Sequence, residues 1–148
     1  MTLFFIYDKI LVGEVIMKNR SELREISMKV LYQKYILENT NTTYNIKDLI
    51  HEQLEIENDF VNELVEGVIT NQDNISELAN KYLVDWDIER LSKVDKAILS
   101  LAIYELVYTE TPSVVAINEA IELSKKYSDE KVTKMLNAAL DKIYHNEV

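Results

Sequence analysis

Three runs of apolar residues at helical spacing lie between Leu91 and Tyr144, with a single proline among them, and they constrain this chain more than any other feature. In the first run, Leu91, Val94, Ile98, Leu101, Ala102 and Leu106 recur at the period of one face of an α-helix. Ser92, with Asp95 three residues on, reads as its N-cap: a short-armed capping box that satisfies backbone N–H groups lacking intrahelical partners. Pro112 disfavours α geometry at Thr111 and so ends that helix, and Ser113 is placed to cap the next. Val114, Ile117, Ala120, Ile121 and Ser124 line one side of this second helix. A third opens at Ser128, with Asp129 and Glu130 where the helix dipole favours negative charge, and continues through Val132, Leu136, Ala139, Leu140 and Ile143.

The pattern extends towards the N-terminus. Asn19, followed three residues later by Glu22, caps a helix running to about Leu37, with Leu23, Ile26, Val30, Leu31 and Leu37 inward. Beyond a polar loop from Glu38 to Asn45, Ile46 to Leu54 and Asp59 to Thr70 read as two further helices. Ile75, Leu78, Ala79, Tyr82 and Leu83 mark another, before a connection at Trp86 and Asp87. Two glycines and one proline in 148 residues leave too few turn breakers for a many-stranded sheet, so the predicted fold class is all-α, with about seven helices.

Several kinds of chemistry find no purchase. Without cysteine there is no disulfide framework and no thiolate metal site, which fits a reducing compartment. The two histidines, His51 and His145, lie far apart in sequence and neither has a second histidine at helical spacing as a helical metal site needs, so no metal ligand and no cofactor is predicted. Gly13 and Gly67 alone cannot build a phosphate-cradling loop. The predicted protein is not an enzyme. The opening segment, residues 1 to 16, is apolar but interrupted by Asp8, Lys9 and Glu14; it lacks a basic leader and a cleavage site and is too short and charged to span a membrane. The expected location is cytoplasmic.

The formal charge of −10 argues against nucleic acid until its distribution is considered. Between Tyr35 and Asn80 ten acidic residues face only Lys47, whereas over residues 18–34 Lys18, Arg20, Arg24, Lys29 and Lys34 outnumber Glu22 and Glu25. A second basic stretch holds Lys125, Lys126, Lys131 and Lys134 against Asp129 and Glu130. The chain is electrically two-faced. Arg20 and Arg24 stand one turn apart, and Tyr32 two turns further on offers a ring on which an unpaired base can stack. Read as residues alone, the same face is more simply an ordinary solvated helix face with Tyr32 partly in the core. Asn118 and Asn137 are each beside an apolar position, and both are expected to point inward as hydrogen-bonded, fold-specifying amides.

The strings V-D-K-A-I-L-S-L-A-I-Y-E-L and P-S-V-V-A-I-N-E-A-I-E-L-S-K-K-Y, followed by L-N-A-A-L-D-K-I, resemble the carboxy-terminal half of the NusB family of bacterial transcription antitermination proteins. The resemblance runs from about Met17 to Tyr144 and is sharpest after Arg90. It implies one domain over 17–148, built as an amino-terminal bundle (17–83) and a carboxy-terminal bundle (84–148). It also implies that residues 1 to 16 come from a start codon assigned too far upstream, the alternative being a loosely docked extension.

By the same resemblance, Lys18, Arg20, Arg24 and Tyr32 correspond to the region that contacts boxA-type single-stranded RNA, and Lys131, Lys134 and Met135 to a second part of that surface. Glu22 interrupts what is an arginine run in the family, Met135 stands where an aromatic is usual, and Lys131 where an acid is frequent. The helix from Val94 to Tyr108 is expected to offer an outward edge at Asp95, with Tyr82 from the preceding helix and Trp86 nearby; by the resemblance this is the bundle that holds NusE, a small ribosomal protein, where acidic groups suit a basic partner. The implied function is that of an RNA-binding adaptor acting with NusE in the RNA polymerase antitermination complex on ribosomal RNA operons; a homodimer is left open. One competing reading is the NusB-like RNA-binding domain of an rRNA methyltransferase, for which a chain ending at Val148 leaves no room for a doubly wound sheet. The other is a module that binds proteins only, in keeping with Glu22 and the acidic charge.

Overall fold

The computed structural model describes residues 18–148; the expectations for residues 1 to 16 lie outside the described residues. Among the described residues the chain forms seven α-helices and no strand: α1 (Arg20–Asn39), α2 (Ile46–Gln53), α3 (Asp59–Thr70), α4 (Gln72–Tyr82), α5 (Lys93–Tyr108), α6 (Ser113–Tyr127) and α7 (Glu130–Glu147), with a 3-10 turn at Ile88–Arg90 before α5. None of these helices is long and apolar enough to cross a membrane.

Local sequence chemistry sets most of the helix starts. At α1 the capping box forms in full: the Glu22 N–H donates to Asn19 Oδ1 at 2.8 Å, and the Asn19 N–H donates to Glu22 Oε1 at 3.0 Å. Asn45, Asn58 and Asp129 cap α2, α3 and α7 from one side only, each side chain accepting from the backbone N–H three residues on. At α5 the Asp95 N–H donates to Ser92 Oγ, but the short Asp95 side chain does not reach back to the Ser92 backbone. Its Oδ2 accepts instead from the Ser92 hydroxyl at 2.8 Å. The expected cap at Ser113 is displaced by one position: Pro112 occupies the N-cap of α6 and Ser113 is already helical, so no side chain caps that end.

The central element is α5, against which α1, α3, α4, α6 and α7 all pack. The sequence reading gave it a single inward stripe. In the fold it is buried on every side from Asp95 to Leu106, because Ala97, Leu99 and Ile103 meet neighbours where solvent was expected. The amino-terminal helices gather as α1 against α2 and α3, and α5, α6 and α7 form the other group. The sequence division puts α4 with the amino-terminal group; its buried Ile75 and Ala79 lie instead on a helix packed mainly against α5 and α7. The buried apolar residues of both groups join in one continuous core.

Two contacts tie α5 to its neighbours closely. Gly67 in α3 lies where a Cβ would overlap the Tyr104 ring, so glycine is what allows α3 to approach α5. Gln72 Oε1 accepts from the Tyr35 hydroxyl at 2.6 Å while its Nε2 donates to Ser100 Oγ at 3.2 Å, which links α1, α4 and α5 through one side chain.

Candidate nucleic-acid interface

The basic residues of α1 do not act together. Arg24 is only 4% exposed. Its Nε donates to Glu105 Oε1 at 2.7 Å and its Nη2 to Glu105 Oε2 at 3.0 Å, a bidentate pair, and Glu119 Oε1 lies 3.5 Å from its Nη1. A guanidinium so committed is unavailable to phosphate, which corrects the assignment of Arg24 to the RNA surface. Lys34 is likewise drawn inward onto Glu38, at 2.7 Å. Arg20 stays exposed, with its guanidinium 4.3 Å from the centroid of the Phe60 ring. Lys29 is exposed and Lys18 half-buried at the approach to α1.

Tyr32, 40% exposed, points away from the core. Eight residues separate it from Arg24, so at 3.6 residues per turn the two lie roughly 80° apart around the helix. Tyr32 therefore keeps company with Lys29 rather than with the arginines. It lines a groove of about 470 Å³ whose other walls are Met28, Lys29 and Gln33 of α1, Gln53 of α2, Val94 of α5 and Tyr127 of α6. Among the described residues, Lys29 is the one charged group lining it. Beside the groove, Glu25 Oε2 accepts from Lys126 Nζ at 2.8 Å and from the Tyr127 hydroxyl, fastening α6 to α1. Burial alone would raise the Glu25 carboxyl, but these two hydrogen bonds and the charges of Lys126 and Lys29 prevail and hold it below its ordinary value.

Lys131 and Lys134 are exposed on the first turns of α7, and Met135 is half-buried against the core. Lys131 follows Tyr127 by four residues, so its Cα is within about 14 Å of that of a residue lining the groove. The sequence reading missed Lys29, Gln33, Gln53 and Tyr127. Lys29 and Tyr32 are i and i+3 on one helix, a spacing visible in the sequence; the contributions of Gln53 and Tyr127 depend on tertiary packing.

Asp95, expected on an outward edge, is 6% exposed in the first turn of the buried α5, where its Oδ1 has no hydrogen-bond partner. It cannot meet a partner protein in this arrangement, because the helix that carries it is enclosed. Tyr82 is half-buried with its hydroxyl donating to Glu147 Oε2 at 2.6 Å, and Trp86 is 42% exposed. Trp86 follows Asp85, whose positive φ of 61° turns the chain between α4 and the 3-10 segment. Val84, 64% exposed, and the exposed Asp85, Asp87 and Glu89 surround it in sequence. Asn118 and Asn137 are both exposed, correcting their assignment as buried amides. On α6 the inward positions are Ala116, Ala120, Leu123 and Ser124, which turns Asn118 outward; Asn137 shares its side of α7 with exposed Lys134 and Asp141.

A family model described as the NusB family matches residues 21–145, which is most of the chain. The chain belongs to the NusB family. It is 37% identical over 131 residues to the transcription antitermination protein NusB of Macrococcus caseolyticus, covering 87% of this chain and 98% of that one. It is 41% identical over 131 residues to NusB of Clostridium botulinum (strain Alaska E43), covering 84% and 97%. Among solved structures, T. maritima NusB superposes with a TM-score of 0.75 at 31% identity, over 87% of this chain and 92% of that one. A structure of the antitermination factors NusB and NusE in complex with dsRNA matches with a TM-score of 0.73 at 27% identity, over 87% and 98%. The NusB fold and membership in a family of transcription antitermination factors follow, and the chain is not an enzyme.

Proposed function

We propose that this chain is an RNA-binding adaptor that holds single-stranded boxA-type RNA jointly with NusE. It acts in the cytoplasm, in the RNA polymerase antitermination complex on ribosomal RNA operons. The observation that carries the reading is the exposed Tyr32 beside Lys29: an aromatic face with an exposed cation next to it, on a protein of net charge −10. Stacking on aromatic faces together with contact to the sugar-phosphate backbone is how unpaired RNA is held, and neither needs a deep active site. Lys131 and Lys134, which follow Tyr127, extend the strip on the α7 side with Met135 behind them, while Arg20 and Lys18, at the start of α1 and turned away from Tyr32, add positive charge at the entry. The family's relative that was solved with NusE in complex with dsRNA supports NusE and RNA as classes of partner. For NusE, the exposed Trp86 and Val84, with half-buried Tyr82 and the neighbouring Asp85, Asp87 and Glu89, supply an apolar anchor within negative charge.

The internal commitment of Arg24 favours a second reading, a module that binds proteins only. Gel-shift titration with a single-stranded boxA-type RNA, with and without NusE, at two salt concentrations separates them. The adaptor reading expects binding that strengthens with NusE and weakens as salt rises. NusE binding with no RNA retained under either condition overturns it.

A further inference from the structure

Behind the wall of the groove beside Tyr32 lies an acceptor without a donor. Among the described residues, Gln33 Oε1 is one of two buried side-chain polar atoms that have no hydrogen-bond partner. A carbonyl oxygen kept from both water and protein N–H groups is costly, and native structures carry few of them. Gln33 belongs to the groove lining, next to Tyr32 in sequence and on the same helix; Met28 and Val94 supply apolar wall, and Gln53 of α2 a second amide. Two rings, Tyr32 and Tyr127, border the space, and Lys29 stands at its rim. An aromatic-walled groove with an amide inside and one cation outside has the chemistry to take a flat, polar-edged, anion-linked ligand.

Building on the RNA-binding reading, we propose that Gln33 is a base-reading residue: with its amide turned outward, Oε1 accepts from the exocyclic amine of an adenine or cytosine seated in this groove, and Lys29 meets the adjoining phosphate. A carboxamide offers a neighbouring acceptor and donor, the complement of the amine and ring nitrogen of those two bases. In a single strand those edges are not engaged by a pairing partner. Uracil lacks the exocyclic amine and purine riboside lacks it while keeping the purine shape, so the two isolate the group in question.

The test measures fluorescence anisotropy of the full chain with short oligoribonucleotides of adenine, cytosine, uracil or purine riboside, for the native protein and for Gln33→Leu. The native protein is expected to hold the adenine or cytosine oligomer about tenfold more tightly than the one lacking the amine, and Gln33→Leu to erase that difference. Preference for adenine alone identifies the purine as the natural occupant, and preference for cytosine alone the pyrimidine. Gln33→Leu should melt no lower than the native protein, since it removes an unsatisfied acceptor from an apolar wall. A Gln33→Leu protein that keeps the native preference overturns the assignment, while loss of binding in Tyr32→Ala under the same conditions leaves the RNA reading standing. If the native protein binds none of the four, with NusE present as well, both fall.

Discussion

Replacing Glu105 by leucine isolates the consequence of burying Arg24. The guanidinium loses two charge-assisted hydrogen bonds, of 2.7 and 3.0 Å, and the Thr111 hydroxyl loses the carboxylate it donates to at 3.1 Å. Removing one partner of a buried ion pair strands the other charge and costs about 3–5 kcal/mol. Glu119, 3.5 Å from Arg24 and partly exposed, takes up some of that charge, so the lower end, about 3 kcal/mol, is expected here. For a domain of this size each kcal/mol moves the melting temperature by roughly 2–4 °C, so Glu105→Leu should melt about 6–12 °C lower. The double replacement Arg24→Met with Glu105→Leu removes both charges at similar volume and should return to within about 1 kcal/mol of the native protein. Thermal and denaturant unfolding report the stability, and RNA binding of the double variant reports the role. If Arg24 is internal, the double variant binds RNA as the native protein does. A double variant of native stability whose RNA affinity falls more than about tenfold would refute the reasoning, and so would a Glu105→Leu protein no less stable than native.

Gly67→Ala places a methyl group into the Tyr104 ring; although alanine is the better helix former, the overlap should dominate and cost about 1–3 kcal/mol, read by denaturant unfolding. The Glu25 clasp is held below the ordinary carboxyl value of 4.5, so its stabilisation is present above that pH and is lost as acid carries the solution through the lowered native value. The melting temperatures of the native protein and Glu25→Gln should therefore differ at neutral pH and converge below pH 4.5; a constant gap would contradict it. Trp86→Ala should weaken NusE binding by about 2 kcal/mol, as loss of a central aromatic anchor does, while leaving binding of RNA alone unchanged, both measured by calorimetry.

What the sequence carried was whatever its chemistry expresses over three or four residues. The Asn19–Glu22 box, the Ser92 cap and the bounds of α3 from Asp59 to Thr70 are all local, and the structure has each of them. Arg24 was misassigned because its partner lies 81 residues away; the only hint was Glu105, a single acid in an apolar run, which a buried helix tolerates only if a cation meets it. Asn118 and Asn137 failed for a related reason: apolar neighbours in sequence say little about which side of a two-sided helix a residue occupies. A single apolar stripe on α5 predicts a surface Asp95, whereas packing against five other helices leaves that residue buried. Tyr32 could be read as exposed or as core from the sequence, and only the packing of α2, α5 and α6 around it makes the groove.

The central claim is that an acidic helical body carries a small cationic, tyrosine-bearing strip that holds unpaired RNA, with Lys29 among its phosphate contacts. The most direct measurement is the salt dependence of binding to a single-stranded boxA-type RNA for the native protein and for Lys29→Ala. The account predicts a log–log slope shallower by about 0.7 in the variant, one phosphate contact on a single strand. An unchanged slope in Lys29→Ala, or native binding indifferent to salt, would contradict it.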